Sequence, residues 1–205
     1  MFPLTGALLL PHGRLPLNIF EPRYLAMVED SLSGGRLLGM VQGDGSRPRG
    51  ERGTAIFSVG CIGRLTSFSE TEDGRFLVTL TGVQRFRVVE ELELRRGYRR
   101  MAVDYGEFSA DAQPPPETDS MPRDDFMQTL RPYLLAHGME VNWDAIAQTP
   151  EAMLVTTLSM VCPFSPSEKQ ALLEAADPMK RTETMMALMR MALHGNGREG
   201  DSKPS

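Results

Sequence analysis

The sequence has few cysteines, and this scarcity excludes several classes of site. Its 205 residues contain two cysteines, Cys61 and Cys162. Neither belongs to a CxxC pair, and neither lies near a histidine at the spacing of a zinc site. Two isolated cysteines in such a chain are more often small apolar core residues than disulfide partners, metal ligands or nucleophiles. We therefore expect no metal in this protein.

Motifs for nucleotide and hydrolytic chemistry are also missing. The GxxxxGK[ST] pattern does not occur, so no loop is expected to hold the phosphates of ATP. The three histidines are scattered, and no GxSxG elbow or HExxH helix accompanies them. Ser165 and Ser167 lie near Lys169, but the local pattern is that of a helix start. We expect a protein that is not an enzyme and has no cofactor, with an unrecognised hydrolase as an alternative.

Positive charge and long apolar runs are scarce as well. The formal net charge is −5 and the sequence pI is about 5.3, whereas nucleic-acid binding needs Lys and Arg gathered on one face. No apolar run approaches the ~20 residues that cross a bilayer. The first residues lack the basic segment of a secretory signal. These features predict a cytoplasmic protein that binds no membrane, and they argue against nucleic acid as a partner.

The first 106 residues have the pattern of a β-domain. Leu15, Leu17 and Ile19 alternate with period two, as in a half-buried strand. After Pro22 the period changes to that of one helix, which Gly34 and Gly35 should end. Alternation returns further along the chain, in Leu37–Gln42, Thr54–Phe68, Phe76–Val88 and Met101–Tyr105. Short strands separated by turn signals predict a β-barrel over 1–106 with one inserted helix.

The second half has the pattern of a helical bundle. Residues 107–122 are polar and rich in proline, which predicts a linker. Helices are expected over 123–194, although Pro132 should kink the first of them. Three of the predicted starts join a capping residue to proline: Thr149-Pro150, Ser165-Pro166 and Asp177-Pro178. Gly195 should end the last helix, and 195–205 should form a disordered tail. The predicted fold class is therefore α+β.

Several short segments along the chain form an ordered set of motifs: Phe2-Pro3-Leu4, Phe20-Glu21-Pro22-Arg23-Tyr24, Gly74-Arg75, Gly82, Arg85-Phe86, Glu168-Lys169-Gln170 and Leu172-Leu173-Glu174. In sequence and in order, these segments resemble the N-terminal substrate-binding domain of the Lon protease family. The resemblance implies a PUA-like β-barrel followed by a helical bundle. It also implies a region that recognises unfolded or tagged polypeptides and passes them to an ATP-driven motor. The family's Ser/Lys dyad lies in a separate domain, which we do not expect in 205 residues.

The same motifs supply the candidate substrate-binding residues Phe20, Glu21, Arg23, Tyr24 and Arg85. One interpretation is that this cluster contacts a ligand. The other is that Glu21 organises the strand-to-helix corner, either by accepting backbone N–H bonds or by pairing with an arginine. The sequence favours the second interpretation for Glu21.

Methionine supplies one more candidate. Ten of the 14 methionines lie at Met121 or later, and Met-rich surfaces suit varied apolar ligands because the side chain is flexible and polarisable. The alternative is that they fill an irregular helical core. Met191 projects away from the apolar stripe of its helix, so it is the candidate for an exposed contact. A loop containing Arg47, Arg49 and Arg52 could bind an acidic partner or could simply be solvated.

Together these observations predict a non-catalytic polypeptide-recognition module. Its partners would be unfolded polypeptides, or a protease or chaperone that works with it. The alternative is RNA binding, since PUA-like barrels elsewhere bind RNA. The sequence does not identify the client, and it leaves the oligomeric state open, a homo-oligomer included.

Overall fold

The computed structural model describes residues 1–50, 52–113 and 122–199, and it has the α+β architecture that the sequence predicts. The strands are β1 Phe2–Pro3, β2 Arg14–Ile19, β3 Leu37–Val41, β4 Val59–Glu70, β5 Phe76–Arg95 and β6 Tyr98–Asp104. The helices are α1 Pro22–Ser33, the 3₁₀ helix Gly106–Ala112, α2 Arg123–Ala136, α3 Trp143–Gln148, α4 Glu151–Val161, α5 Pro166–Glu174 and α6 Pro178–Glu199. None of the described helices is both long and apolar enough to span a membrane.

A single mixed sheet contains all six strands. Its order is β1-β3-β4-β5-β2, and β6 also pairs with β5. The β1–β3 pair is parallel and the other pairs are antiparallel. β5 is the central strand, because β2 pairs with its first part, β6 with its later part, and β4 along its other edge. Phe76, Val78 and Leu80 alternate towards the core, as their period-two spacing predicts.

Helix α1 turns the chain away from the sheet at Pro22. Proline suits the first helical turn, since its missing N–H would have no partner there. The buried face consists of Tyr24, Ala26, Met27, Val28 and Ser31. Leu25 and Leu32, which the sequence placed on the buried stripe with Val28, are only partly buried. The spacing of apolar residues therefore predicted the helix correctly, but it did not predict all the residues of the buried face.

The predicted helix starts are correct in two of the three cases. Ser165 and Glu168 form a capping box on α5, in which each side chain accepts a hydrogen bond from the other residue's backbone N–H. Asp177 caps α6 by accepting a bond from the N–H of Lys180. Thr149 does not cap α4; its hydroxyl donates back to the carbonyl of Ala145 in α3.

The structure bears on three predictions in the helical half. Pro132 lies inside α2, which continues to Ala136; the carbonyl that loses its helical partner belongs to the exposed Gln128, where water can satisfy it. Most of the first half of the predicted linker lies in the 3₁₀ helix Gly106–Ala112; residues 114–121 lie outside the described residues. Helix α6 continues past Gly195 to Glu199, since glycine weakens a helix but ends it reliably only in a left-handed conformation. The rest of the predicted tail, 200–205, is also outside the described residues.

The sheet and the helices share one hydrophobic core. Buried residues of both halves belong to the same apolar cluster, among them Leu9, Leu80, Leu130, Leu172 and Met185. Polar contacts also join the halves: the Lys169 ammonium donates to the carbonyl of Gly6 at 2.8 Å, and the Gln170 amide donates to the carbonyl of Val59 at 3.1 Å. The sheet and the helices therefore pack against each other.

Candidate functional site

The corner between β2 and α1 places three of its four candidate residues at the surface. Phe20 is 65% exposed. The Arg23 guanidinium donates two hydrogen bonds to the Glu21 carboxylate, at 2.9 and 2.7 Å, and both side chains are about half exposed. The Glu21 side chain does not cap α1; its backbone carbonyl instead accepts bonds from Tyr24 and Leu25. Glu21 thus pairs with an arginine at this corner.

Tyr24, the fourth corner residue, belongs to the core. It is 7% exposed, and its ring centroid lies 4.4 Å from that of Phe2. The Arg23 guanidinium lies over the ring at 4.6 Å. Burial, the largest cause, raises the pKa of the Tyr24 hydroxyl, and Arg23 partly opposes this shift. Only Phe20, Glu21 and Arg23 of this group are therefore accessible to a ligand.

Arg85 is buried and fully engaged, so it does not join the accessible corner. It is 3% exposed and forms a two-pronged ion pair with Asp111, at 2.7 and 2.8 Å. Its remaining N–H groups donate to the carbonyl of Leu173 in the last turn of α5 and to those of Ala175 and Ala176 just beyond it. The sequence made Arg85 a candidate for contact with a ligand. In the structure, Arg85 instead joins β5 to the 3₁₀ helix and α5.

A second buried arginine adds to this charged cluster. Arg181 of α6 is buried and donates to the carbonyl of Leu172 at 2.9 Å. Burial first, and then the nearby Arg85 charge, lower the pKa of Arg181 to about 10. Burial alone would raise the pKa of Asp111, but hydrogen bonds from the Arg85 side chain and backbone outweigh it and lower that pKa. Asp111 is therefore ionised at neutral pH and compensates both guanidinium groups.

The methionines of α6 divide between core and surface. Met185, Met186 and Met189 are buried, so they fill the helical core as the alternative interpretation holds. Met191 is 68% exposed on the same helix, which agrees with its predicted direction. Its neighbour Arg190 pairs with Asp125 of α2 at 3.0 Å.

Both cysteines are unreactive core residues. Cys61 and Cys162 are buried as free thiols. Burial, the main cause in each case, raises the pKa of Cys61 to about 12 and that of Cys162 to about 11. Both thiols therefore stay protonated at neutral pH and are poor nucleophiles.

The sequence did not indicate an apolar cleft at the end of α2, which we define as the α2–α3 cleft. It measures about 420 Å³ and is lined by Arg131, Leu135, Met139, Glu140, Val141 and Trp143. Leu135 is 82% exposed on one wall. The Arg131 guanidinium lies 4.3 Å from the centre of the Trp143 ring, in cation–π geometry. Apolar walls with one cation and one anion nearby suit an apolar segment of a polypeptide.

A tight turn builds the cleft. Helix α2 ends at Ala136 and His137 is its C-cap; the His137 ring nitrogen bonds the carbonyl of Tyr133, and Gly138 follows with φ of +63°. The N–H of Met139 then bonds back to the carbonyl of Leu134 at 2.9 Å. This return brings Met139 and Val141 into the same lining as Leu135. The sequence signal for the cleft is a spacing of four residues between large apolar side chains, at Leu135, Met139 and Trp143.

Comparison with known proteins adds an independent line of evidence. The sequence model of the family described as "ATP-dependent protease La (LON) substrate-binding domain" matches residues 1–191. This chain belongs to the Lon substrate-binding domain family. The resemblance that the sequence motifs suggested is therefore confirmed, and with it a family whose described role is to bind substrate.

Individual relatives agree with this assignment of the Lon family. The chain is 22% identical over 90 residues to Lon protease 2 of Myxococcus xanthus, and 30% identical over 95 residues to the Lon protease of Dictyoglomus thermophilum. These alignments cover 44% and 45% of this chain but only 11% and 12% of the two proteases. The chain thus corresponds to a small part of the length of these proteases.

Two solved structures share the fold over most of their length. One is the Lon N-terminal domain protein from Xanthomonas campestris, with a TM-score of 0.62 and 24% identity. The other is the N-terminal domain of the Mycobacterium avium complex Lon protease, with a TM-score of 0.61 and 14% identity. Each comparison covers 91% of this chain and 95% of the other. The fold is that of a Lon N-terminal domain.

Proposed function

We propose that this protein is a non-catalytic module of the cytoplasm that binds unfolded segments of other polypeptides in the α2–α3 cleft. One observation carries the proposal: in a member of a substrate-binding domain family, Leu135, Met139, Val141 and Trp143 line an open apolar cleft. Unfolded chains expose the apolar side chains that such a lining can cover, and folded chains bury them. A protease or chaperone partner is the alternative occupant.

The chemistry of the cleft suits many sequences better than one. Burial of apolar surface supplies about 25 cal/mol per Å² without a fixed direction, and Met139 can adapt its shape to different side chains. Arg131 and Glu140 offer one charge of each sign at the lining. A polypeptide with either charge beside an apolar residue would find a partner there.

The placement of the arginines argues against the RNA-binding alternative. Many of them are paired with carboxylates and so present little free positive charge: Arg23–Glu21, Arg47–Asp44, Arg75–Asp73, Arg87–Glu107, Arg96–Glu29, Arg99–Glu91 and Arg190–Asp125. RNA binding needs unpaired cations along a groove or aromatic residues on which bases stack. The net charge of −5 points the same way.

Trp143 makes the proposal testable, because it is the single tryptophan of the chain. An unfolded polypeptide without tryptophan, added without ATP, should shift the emission of Trp143 to shorter wavelength in a saturable manner. The shift is expected because the bound segment would exclude water from the half-buried indole. Binding detected by anisotropy without any change in emission would place the segment elsewhere.

Two matched variants locate the contact. Leu135→Gln removes an exposed apolar side chain near the C-terminal end of α2 and should weaken binding several-fold, since ~1–2 kcal/mol of apolar burial is lost. Val161→Gln makes a similar change at an exposed position at the C-terminal end of α4, outside the cleft. Equal affinity of the two variants would contradict the proposal.

A further inference from the structure

A second concavity lies on the sheet and has different chemistry from the α2–α3 cleft. It measures about 240 Å³, and its apolar lining comes from Met1, Gly39, Ile62, Phe86, Leu92, Met101 and Val103. Apart from Met1, these residues belong to β3, β4, β5 and β6, so most of the floor is sheet. We call it the sheet cavity.

Two polar side chains line the sheet cavity and are available to a ligand. Arg100 is exposed, and its guanidinium forms no hydrogen bond or ion pair with the described residues. The neighbouring Arg99 differs, because it is committed to Glu91 at 2.8 Å. The Tyr105 hydroxyl also has no hydrogen-bond partner among the described residues. Burial raises the pKa of Tyr105, so the hydroxyl remains a donor at neutral pH.

The surroundings of the sheet cavity favour an anion. Arg52 reaches the same region and donates to the carbonyl of Leu92 at 2.9 Å. The nearby carboxylate of Glu91 is already neutralised by Arg99. Arg52 also interacts with the Glu91 carboxylate, so the guanidinium of Arg100 is the one left to attract a negative group beside the apolar floor.

We propose that the sheet cavity binds the C-terminal residue of a polypeptide, with its side chain on the apolar floor and its carboxylate on Arg100 and Tyr105. A guanidinium can hold a carboxylate through two parallel hydrogen bonds. The volume lies below the ~300 Å³ at which drug-sized pockets begin, so it suits a single residue. Capture of a C-terminal carboxylate is a known mode of peptide recognition. This inference deepens the proposed function, on which it rests.

The test compares two labelled octapeptides that end in leucine, one with a free carboxylate and one amidated. The free acid should bind at least about tenfold more tightly, because charge-assisted hydrogen bonds are lost with the amide. Arg100→Gln should remove this preference. Arg64→Gln is the matched control, since Arg64 is an exposed arginine on β4 outside the lining, and it should keep the preference.

Equal affinity of the two peptides for the native protein would overturn the proposal, as would an unchanged preference in Arg100→Gln. The proposed function is tested separately by an amidated unfolded polypeptide that shifts the emission of Trp143. If that shift persists while the preference for the free acid is absent, the cleft proposal stands and the terminus proposal fails. If both are absent, the proposed function itself fails.

Discussion

Arg85 is the residue on which several elements depend. Its guanidinium bonds Asp111 in the 3₁₀ helix and three carbonyls at and beyond the C-terminal end of α5, while its own backbone belongs to β5. Removing ions from water is costly, and such a cluster is stable only when every charge is compensated. The single carboxylate of Asp111 faces both Arg85 and Arg181. Loss of that carboxylate would therefore leave Arg85 without its counter-ion and would weaken the compensation of Arg181.

We predict that Asp111→Asn lowers the free energy of unfolding at pH 7 by about 3–5 kcal/mol, the usual effect of removing one partner of a buried ion pair. Urea unfolding measures this directly. Asp73→Asn is the control, because Asp73 pairs with Arg75 on the exposed turn. An exposed pair of that kind contributes about 0–1 kcal/mol. Equal losses in the two variants would contradict the role assigned to Asp111.

The pH dependence of the same variant has a definite sign. The pKa of Asp111 is lower in the folded protein than its ordinary value of 3.8. Its stabilising contribution is therefore present above about pH 4 and is lost as the pH falls through the folded pKa. The difference between native protein and Asp111→Asn should stay constant from pH 7 to about pH 5 and shrink below pH 4.

At the scale of elements, β5 crosses the buried segment Leu8–Leu10 at a distance that only glycine allows. A Cβ on Gly82 would lie 1.9 Å from the carbonyl oxygen of Leu10, and backbone hydrogen bonds to His12 and Gly13 fix the crossing. We predict that Gly82→Ala lowers stability by at least about 1–3 kcal/mol through overpacking. Thermal melting should show a loss of about 2–4 °C per kcal/mol.

The control for this crossing is Gly45→Ala. A Cβ on Gly45 would meet no atom within 4 Å, and Gly45 is not in a left-handed conformation. Its melting temperature should stay close to that of the native protein. If Gly82→Ala melted at the native temperature too, the close approach of β5 to Leu10 would be wrong.

Local signals in the sequence predicted the elements better than the contacts between them. The α5 capping box was predictable because Ser165 and Glu168 lie three residues apart in a recognised pattern. The Arg85–Asp111 pair was not, because its two residues are 26 positions apart and Asp111 lies in a segment with the composition of a linker. Long-range pairs of this kind produce no periodic pattern in the sequence.

The candidate sites show the same difference between local and long-range features. Met191 is exposed as its position away from the apolar stripe of its helix predicts. The α2–α3 cleft depends on the turn at Gly138, which brings together a helix end, a loop and the start of α3. The sheet cavity needs four strands in register. Neither arrangement can be obtained from the spacing of residues along one element.

At the scale of the whole molecule, one core supports two concavities of different character. The α2–α3 cleft is apolar with one charge of each sign, whereas the sheet cavity carries an arginine and a tyrosine hydroxyl. Because sheet and helices share a single apolar cluster, both surfaces are held by the same folded body. A polypeptide could therefore be bound at an internal apolar segment and at its terminus.

The most direct test of the central claim is a competition experiment followed by fluorescence anisotropy. A labelled, permanently unfolded polypeptide is titrated with this protein in the absence of ATP, and the unlabelled polypeptide is then added in either its unfolded or its folded form. Our account predicts saturable binding that the unfolded competitor displaces and the folded competitor does not. Absence of binding, or equal displacement by the folded form, would contradict it.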